Sequence, residues 1–206
     1  MSDHCCPAPA APAVDPHYRK VLWIALLVNA GMFAVELIAS WRSESVSLLA
    51  DSIDFFGDAA NYALSLAVLG MVLGARSKAA LAKAACMAGF GIFVLAKAAW
   101  NLRLGVTPEP VTMGAVAVIA LLANASVAWM LYRYRSGDAN MRSVWICSRN
   151  DAIGNVAVML AAAGVFGTGS AWPDLLVAGI MGGLALAGAW SVLRHAREEL
   201  RTAAAH

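Results

Sequence analysis

The chain has 206 residues, of which 61% are hydrophobic and 14% are charged, and its formal net charge is +2. This composition excludes a soluble globular domain, which would scatter its charges, whereas Lys and Arg here fall largely into a few short clusters. With no basic surface interleaved with aromatic residues, nucleic acid is also excluded as a partner. The composition is typical of an all-α membrane protein.

Residues 1–18 are rich in proline and alanine and are expected to form a disordered cytoplasmic tail. No positive segment, short apolar segment and cleavage site follow one another there, so no secretory signal is predicted. His4, Cys5 and Cys6 cluster in this tail and, with His17 as an added donor, could deliver soft or borderline cations. A tail without such a role is the simpler alternative.

Six apolar windows of about 20 residues or more predict six membrane-spanning helices within residues 19–197. They run from Val21 to Trp41, Leu48 to Leu73, Ala79 to Trp100, Val111 to Tyr132, Val144 to Phe166 and Pro173 to Leu193. The third window is the weakest because Lys83 and Lys97 interrupt it, and a five-span chain is the alternative. Residues 198–206 are expected to form a second short cytoplasmic tail.

Basic residues alternate between the two sides of these windows and predict the orientation of the chain. They precede the first window and follow the second, fourth and sixth, at Arg19, Lys20, Arg76, Lys78, Lys83, Arg133, Arg135, Arg142, Arg194, Arg197 and Arg201. The opposite loops hold only Arg42 and Arg103. By the positive-inside rule both termini are cytoplasmic, and the expected location is a bacterial-type inner membrane.

Three carboxylates interrupt the second window, in the stretch SVSLLADSIDFFGDAANYALSLAVLGMVL. Asp51, Asp54 and Asp58 are spaced by three and four residues, so a helix places them within one narrow stripe. Unpaired anions are costly at membrane depth, where they usually line a polar cavity, an ion path or a proton relay. Transport is therefore the leading hypothesis.

A second polar group lies near the start of the fifth window, in WICSRNDAIGNVAVMLAAAGVF. Cys147, Asp151 and Asn155 follow one another at intervals of four and share a helix face, with Asn150 to one side. Pairing this face with the aspartates of the second window would assemble a compact four-ligand site. A divalent cation suits it, because carboxylates close together in low dielectric otherwise hold protons or repel each other. Cation binding and proton release would then be coupled.

The segment SVSLLADSIDFFGD resembles the second transmembrane helix of the cation diffusion facilitators, which reads S-x-x-L-L-A-D-x-x-(H or D)-x-x-x-D. Asp54 and Asp58 fall on its two metal-ligand positions. The fifth window resembles the H-x-x-x-D helix of the family, with Asp151 on the aspartate position and Cys147 in place of histidine. The resemblance covers all six windows. It implies a six-helix exporter of divalent metals, driven by inward proton flow and commonly a homodimer.

Two departures from the family pattern bear on this interpretation. Cys147 at the histidine position, with Asn150 and Asn155 nearby, leaves the fourth ligand open. The cytoplasmic domain that follows the sixth helix in the family is absent from this sequence, so a short form is expected, with any dimer held by its membrane part.

The remaining polar residues receive less direct roles. Asp51 is expected to support the site rather than bind metal, although direct contact is the alternative. Cys147, Asn150 and Asn155 are second-tier ligands, since small polar residues also join membrane helices by hydrogen bonds. Glu36 could be a residue of a proton path, but its position near the outer boundary favours interface anchoring. Asp174 is expected to complement the N-terminus of the sixth helix.

The sequence therefore predicts a metal/proton antiporter that works by alternating access, with zinc as the default substrate and cobalt, cadmium, manganese or iron as alternatives. No cofactor is expected besides the transported metal. An exporter of small organic cations and a non-transporting scaffold are the rival functions. An enzyme is not expected, because no nucleophile and base occur together and all four histidines lie outside the windows.

Overall fold

The computed structural model describes residues 16–67, 73–134 and 139–204, with side chains described except at 73–80, 83, 139–150, 191–192 and 195–204. The helices are α1 (Pro16–Ser43), α2 (Val46–Ala67), α3 (Leu73–Leu104), α4 (Pro110–Leu131), α5 (Ala139–Thr168) and α6 (Trp172–Ala204). A 3-10 turn, Tyr132–Tyr134, extends α4. Within these ranges no strand occurs, which confirms the all-α class.

In the part of the chain that the structure describes, five stretches are long and apolar enough to cross a membrane: Pro16–Ser43, Ala84–Leu104, Pro110–Tyr134, Asp151–Thr168 and Trp172–Trp190. Helix α2 has 22 residues and is about 33 Å long, enough to span the hydrocarbon core. Every 18-residue stretch of α2 contains all three of its aspartates, so the composition of α2 is too polar for a typical apolar membrane span. The six predicted spans thus correspond to five apolar helices and one helix that carries the acids.

The α1–α2, α3–α4 and α5–α6 connections meet at one end of the bundle. The backbone N–H of Glu109 donates to the carbonyl of Ser43 at 2.8 Å, and the amide of Asn101 donates to the carbonyl of Glu44 at 3.3 Å. Helices α3 and α5 each end next to a glycine in the left-handed region, Gly105 and Gly169, where a side chain would be strained. Successive helices therefore run in alternating directions.

Helix α4 begins with a side-chain cap outside the membrane-spanning segments. The two carboxylate oxygens of Glu109 accept hydrogen bonds from the backbone N–H groups of Val111 at 2.8 Å and Thr112 at 2.7 Å. Hydrogen bonds from the side chain and backbone of Thr112, and from the backbone of Val111, hold the pKa of Glu109 below its ordinary value. Pro110 has no N–H to lose at the first helical position, so the start of α4 is well defined.

The acidic helix α2 lies inside the bundle, where it packs mainly against α1 and also contacts α3, α5 and α6. Around its first turns the core contains Leu48, Ile53, Met113 and Val158. Large apolar side chains such as Trp41 on α1 are exposed, as expected for a surface that faces lipid. The fold thus surrounds the aspartates with apolar helices.

Candidate functional site

The three aspartates of α2 lie on the side of the helix that faces the bundle interior, as their spacing predicts. Asp51 is 2% exposed and Asp58 is also buried, whereas Asp54 is half-buried between them. The three carboxyl groups are close enough to interact electrostatically along the helix. Asp58 accepts a hydrogen bond at 3.3 Å from the hydroxyl of Tyr62, one helical turn further on.

Helix α5 brings a fourth aspartate to this stripe. The carboxyl group of Asp151 lies within hydrogen-bonding reach of Asp58 and within electrostatic range of Asp54 and Asp51. Its Oδ2 atom is buried without a hydrogen-bond partner. Helices α2 and α5 therefore bring their acids together in the interior of the bundle, with Asp151 facing Asp58.

The carboxylate of Asp51 is hydrogen-bonded to the first of two linked amide side chains, and together the three groups join three helices. The amide nitrogen of Asn155 on α5 donates to Asp51 Oδ2 at 3.1 Å. The carbonyl oxygen of Asn155 accepts from the amide nitrogen of Asn124 on α4 at 3.0 Å. Both ends of the Asn155 side chain are therefore engaged in this conformation. The sequence prediction missed Asn124, although it is the lone amide within the fourth apolar window.

Glu36 on α1 lies next to the same acids. Its side chain is fully buried, at 0% exposure, and neither carboxylate oxygen has a hydrogen-bond partner. It interacts with Asp51 and, more weakly, with Asp54. The expectation that Glu36 anchors α1 at the membrane interface was wrong, because distance from a window boundary does not specify which helix face a residue occupies.

Asp174 lies at the start of α6, as expected, and has a second role that the sequence did not reveal. It lies in the first turn of α6, but its buried carboxylate accepts hydrogen bonds from the start of α2. The donors are the hydroxyl groups of Ser45 at 2.7 Å and Ser47 at 2.6 Å, and the backbone N–H groups of Val46 at 2.9 Å and Ser47 at 3.0 Å. Asp174 therefore caps another helix and fixes the start of α2 against α6.

The structure describes the side chains of some of the predicted metal ligands but not of all of them. Among the side chains that the structure describes, no three from His, Cys, Asp and Glu lie close enough together to hold one metal ion. The side chains of Cys147 and Asn150 fall outside the described ones, although both residues lie on α5. The tail residues His4, Cys5 and Cys6 lie outside the described residues altogether.

Apolar helices that surround carboxyl groups from α1, α2 and α5 define a polytopic membrane protein with an anionic interior, an arrangement typical of ion and proton pathways. Residues 22–201 match the family model described as the cation efflux transmembrane domain. The chain therefore belongs to the cation efflux family, which confirms the resemblance to the cation diffusion facilitators. It is a multi-pass plasma membrane protein of a family of transporters rather than of enzymes.

Three bacterial relatives are similar to most of this chain. The zinc transporter ZitB of Escherichia coli is 29% identical, and the alignment covers 90% of this chain and 63% of ZitB. The metal cation efflux system protein CzcD of Cupriavidus metallidurans is 25% identical, with 85% and 60% covered. The cadmium, cobalt and zinc/H(+)-K(+) antiporter of Bacillus subtilis is 24% identical, with 85% and 61% covered. The chain thus spans about three fifths of the length of these relatives.

Proposed function

We propose that this protein exports a divalent metal cation, with zinc as the first candidate, in exchange for protons. The observation that carries the proposal is the contact between Asp58 and Asp151 in the apolar interior, with Asp54 beside it. The names of the relatives support the substrate class, since they specify zinc, cadmium and cobalt and, in one case, antiport.

The exchange follows from electrostatics. Two carboxylates within hydrogen-bonding reach in low dielectric repel each other unless a proton or a cation lies between them. Metal and proton then compete for the same oxygen atoms, so that loading one releases the other. Asp54, Asp58 and Asp151 are the proposed primary ligands. The three do not converge on one point in this structure, so metal binding has to draw them together, and the bare Oδ2 of Asp151 is available for coordination.

The remaining polar residues would complete or orient the site. Cys147 or Asn150 on α5 would supply a further ligand, and a thiolate there would favour zinc, cadmium or cobalt over manganese or iron. Asp51 and Asn155 bind each other and would position the acidic face of α2 rather than contact the metal first. Deprotonated acids would capture metal from the cytosol, and protons from the other side would displace it after a conformational change. We expect a homodimer formed through the membrane domain, with both termini cytoplasmic.

The test is proton flux in proteoliposomes, stimulated in turn by zinc, cobalt, cadmium, manganese and iron. The Asp54→Ala/Asp58→Ala double variant removes two proposed ligands. A Glu44→Gln/Glu109→Gln control removes two exposed carboxylates from the connections at the end of the bundle. We expect flux with one or two of these metals, unchanged in the control and reduced to the leak of empty liposomes in the double variant.

Two results would refute the proposal. One is metal-driven proton flux of normal rate in the double variant. The other is the absence of flux with every metal in protein shown to be folded, which would favour an organic cation as substrate or a role without transport. An organic cation would then be tested in the same liposomes.

A further inference from the structure

A cleft of about 600 Å³ opens between the start of α1 and the end of α4, at the opposite end of the bundle from Asp174. Its rim carries three basic side chains, His17, Lys20 and Arg133. Its walls are formed by apolar and aromatic side chains, among them Ile24, Trp129 and Tyr134. None of the buried acids lines the cleft, which has no part in the proposed transport chemistry.

The positive charges on the rim come from two different helices. Lys20 lies in the second turn of α1 and Arg133 in the 3-10 turn after α4, and both are exposed. In the described part of the chain the one ion pair is that of Lys97 with Glu44 at the other end of the bundle. Lys20 and Arg133 are exposed, so a ligand outside the protein can reach their charges.

The walls continue this rim into the lipid-facing surface. Tyr134 is held in place by Tyr18, whose ring centroid lies 4.8 Å from its own. Trp129 is 79% exposed, and Ile24 lies beside the cleft one helical turn beyond Lys20. Cationic groups at the edge and an apolar, aromatic wall below them match the two parts of a phospholipid with an anionic headgroup.

We propose that this cleft is a binding site for an anionic phospholipid. The headgroup phosphate lies between Lys20 and Arg133, and the upper part of an acyl chain runs along Ile24 and Trp129. A soluble phosphate would use the same cations but would gain nothing from the apolar wall, which is why the lipid is the favoured source. The site lies on the face that the positive-inside pattern assigns to the cytoplasm.

The test is lipid retention by the purified full chain, measured by native mass spectrometry with phosphatidylglycerol, phosphatidylcholine or inorganic phosphate added. The Lys20→Gln/Arg133→Gln variant removes both proposed phosphate contacts. The matched Arg42→Gln/Arg103→Gln control removes two exposed charges from the other end of the bundle. We expect phosphatidylglycerol retention to fall about 25-fold in the first variant, at roughly a factor of five per basic residue, and to stay unchanged in the control.

A Lys20→Arg/Arg133→Lys variant keeps both charges and should retain the lipid, which separates charge recognition from loss of folding. Equal losses in the Gln variant and its control would overturn the proposal in favour of diffuse surface charge. Equal retention of phosphatidylcholine would show that the headgroup charge is not recognised. Displacement of phosphatidylglycerol by millimolar inorganic phosphate would assign the cleft to a soluble anion.

Discussion

At the residue scale, the buried acids divide into two groups with different partners. Asp58 and Asp151 face each other across α2 and α5, and one oxygen of Asp151 is bare. Asp51 instead accepts a hydrogen bond from Asn155, and its nearest acid is Glu36. An acid that already has an amide donor is suited to holding helices together, whereas two facing acids, one of them with an unpartnered oxygen, are suited to exchanging ligands.

This difference leads to the first prediction, which compares two changes of carboxylate to amide. Asp151→Asn should lower the apparent affinity for metal at least about tenfold, or about 1.4 kcal/mol, because it removes one of the two charges that face each other between α2 and α5. Asp51→Asn should leave metal binding nearly unchanged, since its remaining carbonyl oxygen still accepts from Asn155. Metal titration of the purified variants measures both, and equal losses would mean that the two acids act as one site.

The second prediction concerns the amide chain. Asn155→Leu should lower the free energy of unfolding by about 1 to 3 kcal/mol, because it leaves Asp51 and Asn124 buried without their shared partner. Asn124→Leu should cost less, since Asn155 keeps its bond to Asp51. Thermal unfolding in detergent measures both, and the double variant gives the coupling between them. Independent, additive losses would contradict a connected chain.

The sequence predicted the acidic stripe because helical spacing is a local property: three and four residues place side chains on one face whatever surrounds them. The expected role of Glu36 was wrong, and the cap that Asp174 supplies to α2 was missed, for the opposite reason. Both depend on which neighbouring helix lies against that face, and this is set by packing of the whole bundle. Asn124 was missed because a single amide in an apolar window has no partner visible in the sequence.

At the element scale, the position of α2 depends on α6. The carboxylate of Asp174 accepts hydrogen bonds from two backbone N–H groups and two hydroxyl groups at the start of α2. It thus adds to the local cap, in which the hydroxyl of Ser45 accepts from the backbone N–H of Leu48 at 3.2 Å. The start of α2 can therefore tilt away from α6 only if its hydrogen bonds to Asp174 break.

The third prediction tests this contact. Asp174→Asn should lower the free energy of unfolding by about 1 to 3 kcal/mol, because an amide offers one acceptor oxygen to four donors and carries no charge. Glu109→Gln, which alters the exposed cap of α4, is the matched control and should cost less. Thermal unfolding measures stability, and transport assays show whether α2 is still positioned. A normal melting temperature for Asp174→Asn would contradict the role of a cap.

The fourth prediction concerns the close packing of α3 and α6. A Cβ atom on Gly182 would lie 3.1 Å from the Leu95 side chain and 3.4 Å from that of Val94, whereas one on Gly183 would meet nothing within 4 Å. Gly182→Ala should therefore be less stable than Gly183→Ala by about 1 to 3 kcal/mol, although both gain the same helix propensity. Equal melting temperatures would mean that the interface yields to a methyl group.

At the scale of the whole molecule, hydrogen bonds join the connections at one end of the bundle. The acids lie about halfway along the length of the bundle. Asp58 is twelve residues from the start of α2, about 18 Å, and Asp151 is twelve residues from the start of α5. The apolar windows predicted all six helices because length and hydrophobicity are sufficient for that purpose. They did not predict that α2 would lie inside the bundle, which follows from the need to bury its three carboxylates.

The last prediction concerns the effect of metal on stability. A metal ion that binds the folded protein better than the unfolded chain stabilises the folded protein. Metal at about 100 times its dissociation constant should stabilise the protein by about 2.7 kcal/mol, and the melting temperature should rise accordingly. A chelator should reverse the rise, and an Asp54→Asn/Asp58→Asn variant should show none. A Cys5→Ser/Cys6→Ser variant separates the tail from the bundle and should keep the full rise. If the rise persisted without the aspartates and disappeared without the cysteines, the stabilising metal would belong to the tail, and the buried acids would have to be assigned to protons alone.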